Sequence, residues 1–216
     1  MNNKKTGRLT GILFIAATAA GVASLSFISV KDGNDFAAQI NQNPNTLLVG
    51  AFLILLMGIF CSAIAFSIYP MLSKHSKGLA IGAAGFRTIE GGIFIASAGI
   101  LAAMVPAAAY SQDAAAVLRI AHESVSENAA FAFCVGALLY YIGFYKTKLV
   151  PRWLSIWGIA AIILHFGANV SVFFGAESFS TVNVIINIPI AIQEMVLAVW
   201  LLIFGFKEVP AREKIN

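Results

Sequence analysis

Arg87 and Glu90 stand three residues apart inside one long apolar stretch, and Glu194 stands inside another, near the end of the chain. A guanidinium can hold a carboxylate or an anionic ligand through paired N–H donors, and a carboxyl group can carry a proton or a cation. Charged side chains enclosed by apolar neighbours are costly in a membrane and mark ligand, ion or proton sites by default. His165, Asn169, Asn187 and Gln193 are further polar side chains inside apolar stretches and belong to the same candidate cluster.

These residues need elements that cross a bilayer. Apolar residues make up 59% of the 216, charged residues 11%, and mean hydropathy is +0.85, which leaves too little polar surface for a soluble globular domain. Unbroken apolar runs extend over 9–30, 46–71, 79–108, 129–145, 153–175 and 184–206. Each is close to the roughly 20 residues that a membrane helix needs. Barrel strands would instead alternate over about ten residues. The fold class is therefore all-α, a polytopic transmembrane bundle of six helices. The spans use most of the chain, so residues 1–216 are read as a single transmembrane helical domain.

The connections between spans orient the bundle. Lys4, Lys5, Arg8, Lys74, Lys77, Lys146, Lys148, Arg152, Lys207, Arg212 and Lys214 fall on one side, and only Lys31 and Arg119 on the other. Positive residues collect on the cytoplasmic face, so both termini are expected in the cytoplasm and the protein in the cytoplasmic (inner) membrane. The net charge of +4 is thus spent on topology, and no nucleic-acid partner is expected. The first span also resembles a signal peptide, but its apolar run exceeds the usual 7 to 15 residues or so, which favours a retained anchor. Residues 112–128 place Val117, Leu118, Ala121 and Val125 at helical spacing, as either a short interfacial helix or the first turns of a longer fourth helix.

Depth unites the charged residues. At about 1.5 Å of rise per residue from the cytoplasmic end of each span, Arg87 lies about 12 Å in, Glu90 about 16 Å, and His165 and Glu194 about 18 Å. All four fall near the middle of a hydrocarbon layer about 30 Å thick. Asn183, Asn187 and Glu194 share one helical stripe, as do Gly158, His165 and Asn169. Gly91 and Gly92 allow another backbone close to Arg87 and Glu90, and Pro189 interrupts the hydrogen bonding of the last span about one turn from Glu194.

Three uses of such a cluster stay open. It binds a small molecule or an ion for transport or sensing; it is a structural polar network that fixes helix packing; or it is an intramembrane, hydrolase-like enzyme. The last would use His165 with Glu90 and Glu194, either as metal ligands or with His165 as a base oriented by a carboxylate. No paired-histidine signature or glycine-rich phosphate loop supports a metal or a cofactor, and none is expected. His122 reads as a solvated loop residue and His75 as a cytoplasmic one. Cys61 and Cys134 read as buried free thiols. Tyr69, Tyr140 and Tyr141 suggest an interfacial belt, and the pairs Gly78 with Gly82 and Ala17 with Gly21 suggest close helix contacts. Membrane lipids are the expected partners, and a bundle this small would suit one protomer of a homo-oligomer.

Several segments carry a resemblance. Arg8-Leu-Thr-Gly-Ile-Leu-Phe, Tyr69-Pro70, Gly85-Phe-Arg87-Thr-Ile-Glu90-Gly91, Pro151-Arg152-Trp153-Leu and Pro189-Ile-Ala-Ile-Gln193-Glu194, followed by Val199-Trp200-Leu and Gly205-Phe, resemble domain of unknown function 4386. The resemblance covers nearly the whole chain. It implies a bacterial integral membrane protein of six helices with no assigned activity. Arg87 with Glu90 and Gln193 with Glu194 are its most specific elements, whereas His165 is not carried over from it and its role rests on depth alone.

Overall fold

A computed structural model describes residues 2–28, 36–178 and 180–208. It contains helices α1 (Asn3–Ile28), α2 (Phe36–Gln42), α3 (Pro44–Leu72), α4 (Lys77–Tyr110), α5 (Gln112–Thr147), α6 (Arg152–Phe173) and α7 (Thr181–Phe204). All but α2 are long and apolar enough to cross a membrane, so the chain is a multi-pass membrane protein built as an all-α bundle. The break at Lys31 to Asn34, the charges of Lys31, Asp32 and Asp35, and the C-terminal Arg212 and Lys214 lie outside the described residues.

The six spans form a ring in chain order. Each packs on its neighbour, from α1 on α3 through to α6 on α7, and α7 returns to α1. The α1–α7 seam is the one contact in the ring that no connecting segment bridges. Small residues close it: a Cβ on Gly11 would meet the Ala198 carbonyl oxygen at 2.6 Å, and one on Gly7 would meet the Gly205 Cα at 2.5 Å. Gly205 itself has φ +71 and lies against Lys4, a turn that a side chain would strain twice over. Beside it, Phe206 N donates to Asn3 O (3.3 Å), Lys207 N to Leu149 O (2.9 Å) and Arg8 Nε to Leu202 O (3.2 Å). The start of α1, the end of α5 and the end of α7 therefore meet at one end of the bundle.

Two elements go beyond the single expectation of six spans. Of the two alternatives for residues 112–128 the longer helix holds: they are the first turns of α5, which runs unbroken for 36 residues. Ser111 alone separates it from α4, ending one helix and capping the next by accepting the Ala114 N–H at 3.1 Å. At about 54 Å, α5 exceeds the hydrocarbon thickness. The second element is α2, whose seven residues are too few for periodicity to reveal. It lays Phe36, Ala37 and Ile40 into an outer core with Leu47, Leu101 and Met104, and the Arg119 guanidinium covers the Phe36 ring at 5.2 Å.

The close approaches follow the sequence expectation in part: Gly91 lets the α3 backbone come close as expected, whereas a Cβ on Gly92 would meet nothing within 4 Å. A Cβ on Gly78 would meet nothing within 4 Å, so that glycine marks no contact, although Gly82 meets Leu139 and Gly21 meets Met57. The tight sites near mid-depth are Gly58 with Gly91, between α3 and α4, and Gly136, which admits the stem of Arg87 to α5.

Candidate functional site

Inside the ring lies a cavity of about 250 Å³, and all six spans supply side chains to its wall. Arg87 and Glu90 face it from α4, His165 from α6 and Glu194 from α7, while Thr18 and Cys61 add polar atoms from α1 and α3. Phe14, Phe94 and Phe133 supply much of the remaining wall. The spacing explains the arrangement on α4: Arg87 and Glu90, one turn apart, point to the same side, where Gly91 brings α3 close.

Arg87 and Glu90 form an ion pair of 2.8 Å while being only 2% and 3% exposed. The pair does not exhaust them. Arg87 Nη1 and Glu90 Oε2 meet in that ion pair, while Arg87 Nε has no partner, although buried polar atoms nearly always do. The guanidinium also lies over the Phe133 ring, 4.9 Å from its centroid, and His165 meets the same ring edge to face at 5.4 Å. Glu194 has a weaker partner still. It accepts one long hydrogen bond of 3.4 Å from the Tyr140 hydroxyl, and no cation stands within ion-pair reach of it among the described residues.

The other expected residues sit around this cavity without lining it. Asn187 reaches His165 Nδ1 with its side-chain oxygen at 2.6 Å and so fixes the imidazole. Asn169 donates to the His165 carbonyl at 2.7 Å, within its own helix. Gln193 is fully buried between helices, accepting from the Tyr141 hydroxyl and donating to Leu154 O at 3.1 Å. One residue apart on α7, Gln193 and Glu194 are about 100° apart around the helix, so one faces a neighbour and the other the cavity.

Four expectations change here. His165 is oriented by the Asn187 amide, not by a carboxylate, because Glu90 is engaged by Arg87 and Glu194 by Tyr140. Among the described residues no group of three or more His, Cys, Asp or Glu is arranged to hold a metal ion. Tyr140 and Tyr141 are no interfacial belt but lie at 1% and 0% exposure, Tyr141 packing against Gly158 of α6. Only Tyr69 of the three is exposed. His122 is not solvated but 7% exposed, bonded through Nδ1 to the Ser97 hydroxyl at 2.7 Å, and Ser97 in turn meets Ser126. Sequence reasoning missed Tyr140, Tyr141 and this Ser97–His122–Ser126 clasp. The aromatic side chains beside Gly136 and Gly143 were the available signal for the tyrosines. Cys61 and Cys134 are buried free thiols, and only Cys61 borders the cavity.

The family model for Domain of unknown function (DUF4386) matches residues 9–205. The chain belongs to the DUF4386 family. The match runs from α1 to the turn after α7, so the cavity and every residue of the cluster lie within the DUF4386 region. No curated protein and no solved structure matches the chain.

Proposed function

We propose that this DUF4386 protein binds a small molecule or ion in the central cavity, as one membrane domain used for transport or sensing. We place it in the cytoplasmic membrane with both termini inside, because the bundle end where Asn3, Leu149 and Lys207 meet is the one rich in Lys and Arg. The observation that carries the binding reading is the convergence of Arg87, Glu90, His165 and Glu194 on one cavity, with Arg87 Nε unmatched and Glu194 holding a single long hydrogen bond. A network that served packing alone would be expected to close on itself, as apolar side chains or fully paired polar ones would stabilise the bundle better.

Native mass spectrometry and elemental analysis of the purified protein test this reading, beside Glu90→Gln and Glu194→Gln. A species bound to the wild type and lost from folded variants supports it. Wild type and variants equally bare, with equal stability, would overturn it.

A further inference from the structure

A second hollow lies against the first. On the outer face of α7 a groove of about 560 Å³ is walled by apolar side chains, including Met195, Val199, Trp200 and Phe204, and completed by Thr18 of α1. Thr18 lines the polar cavity too, so the two spaces adjoin at the α1–α7 seam. The seam is tight toward the cytoplasmic end, where Gly7 and Gly11 close it, and is the ring contact without a connecting segment. The Trp200 ring lines the groove, and its indole N–H is buried without an acceptor.

Charge selects the ligand's polar end. The cavity sets one guanidinium against two carboxyl groups, and Arg87 is engaged by Glu90. Glu194 is completed by a proton or by a ligand cation, and the aromatic faces of Phe14, Phe94 and Phe133 suit an ammonium group. Size selects the rest. At about 250 Å³ the cavity falls below the usual range of roughly 300 to 1,000 Å³ for sites that enclose a whole ligand. The cavity therefore fits a headgroup, and the adjoining groove fits its chain.

Building on the cavity reading above, we infer that the ligand is a cationic amphiphile, an alkyl ammonium whose head pairs with Glu194 and whose chain lies in the α7 groove, reached sideways from the lipid past Thr18. The test uses protein in phosphatidylcholine vesicles with Trp153 and Trp157 changed to Phe, which leaves Trp200 as the sole tryptophan. A dodecylammonium brominated at its chain end should quench Trp200 saturably. Glu194→Gln, and separately Thr18→Phe in case the first variant misfolds, should weaken that binding at least tenfold. Brominated dodecanoate should bind at least tenfold more weakly, and ethylammonium should compete at least tenfold more weakly than unbrominated dodecylammonium. Quenching that is linear in amine and indifferent to both variants would mean simple partition into lipid and overturn the inference. Ethylammonium competing as well as the long amine, in a manner that needs Glu194, would overturn the role of the groove while leaving the cavity site standing.

Discussion

Between α4 and α5 Ser97, His122 and Ser126 use one another's hydrogen-bonding capacity, whereas around the cavity the Arg87–Glu90 pair leaves Arg87 Nε unmet and Glu194 holds a single long bond. Both clusters join polar side chains across helices. The first joins α4 to α5 through Ser97; the second surrounds a cavity. A closed polar contact is an element of packing. An open one, held at greater electrostatic cost, is arranged around something else. Gln193 belongs with the closed class and its neighbour Glu194 with the open class, so the boundary between packing and site passes between adjacent residues.

Breaking the inner cluster should have the largest effect. Arg87→Leu leaves the Glu90 carboxylate buried beside a hydrocarbon side chain, and loss of one partner of a buried pair costs about 3 to 5 kcal/mol. Thermal unfolding should show the variant severely destabilised, with most of the loss recovered in Arg87→Leu/Glu90→Gln. Failure of the double variant to recover would mean that Arg87 acts through its stem packed at Gly136 rather than through charge.

Gly91→Ala comes next. Its Cβ would run into Ser62 Oγ and the Gly58 carbonyl, pushing α3 from α4 beside Glu90, at about 1 to 3 kcal/mol for overpacking. Gly99→Ala sharpens the point, because nothing lies within 4 Å of the Cβ it would add, and it should stay within about 0.5 kcal/mol of wild type. Melting curves of the two variants side by side would show whether close approach or helical propensity governs α4.

The outer clasp should give a modest result. Ser97→Ala removes the hydroxyl shared by His122 and Ser126 and leaves buried groups unmet, at about 1 to 3 kcal/mol. Binding at the cavity should be unchanged when a ligand is titrated, since Ser97 does not border it.

Depth was legible in the sequence because helical rise is constant: counting residues put Arg87, Glu90, His165 and Glu194 at one level, and the structure gathers these four around one cavity. Facing was harder. Gln193 shares that depth and Asn169 lies one turn beyond it, but they turn to the α5–α6 contact and to a backbone carbonyl, and only the azimuth of each helix decides which way a side chain looks. His122 stands among Arg119, Glu123 and Glu127, a surface pattern, yet its partner Ser97 lies on another helix where sequence spacing gives no sign of it. Tyr140 and Tyr141 sit near Lys146, which suggests an interface. Gly158 on the facing α6 instead admits the Tyr141 ring, and both tyrosines are buried. Spans followed from composition, whereas α2 and the early turns of α5 depended on packing against α3 and α4.

The most direct measurement pairs Glu194→Gln with Gln193→Leu, assaying the bound species by native mass spectrometry and the melting temperature on the same preparations. The account predicts that Glu194→Gln strips the bound species with little change in melting temperature, while Gln193→Leu lowers the melting temperature and keeps the species. Loss of stability without loss of binding in Glu194→Gln, or loss of binding in both variants alike, would contradict the separation of an open site from the closed contacts that support it.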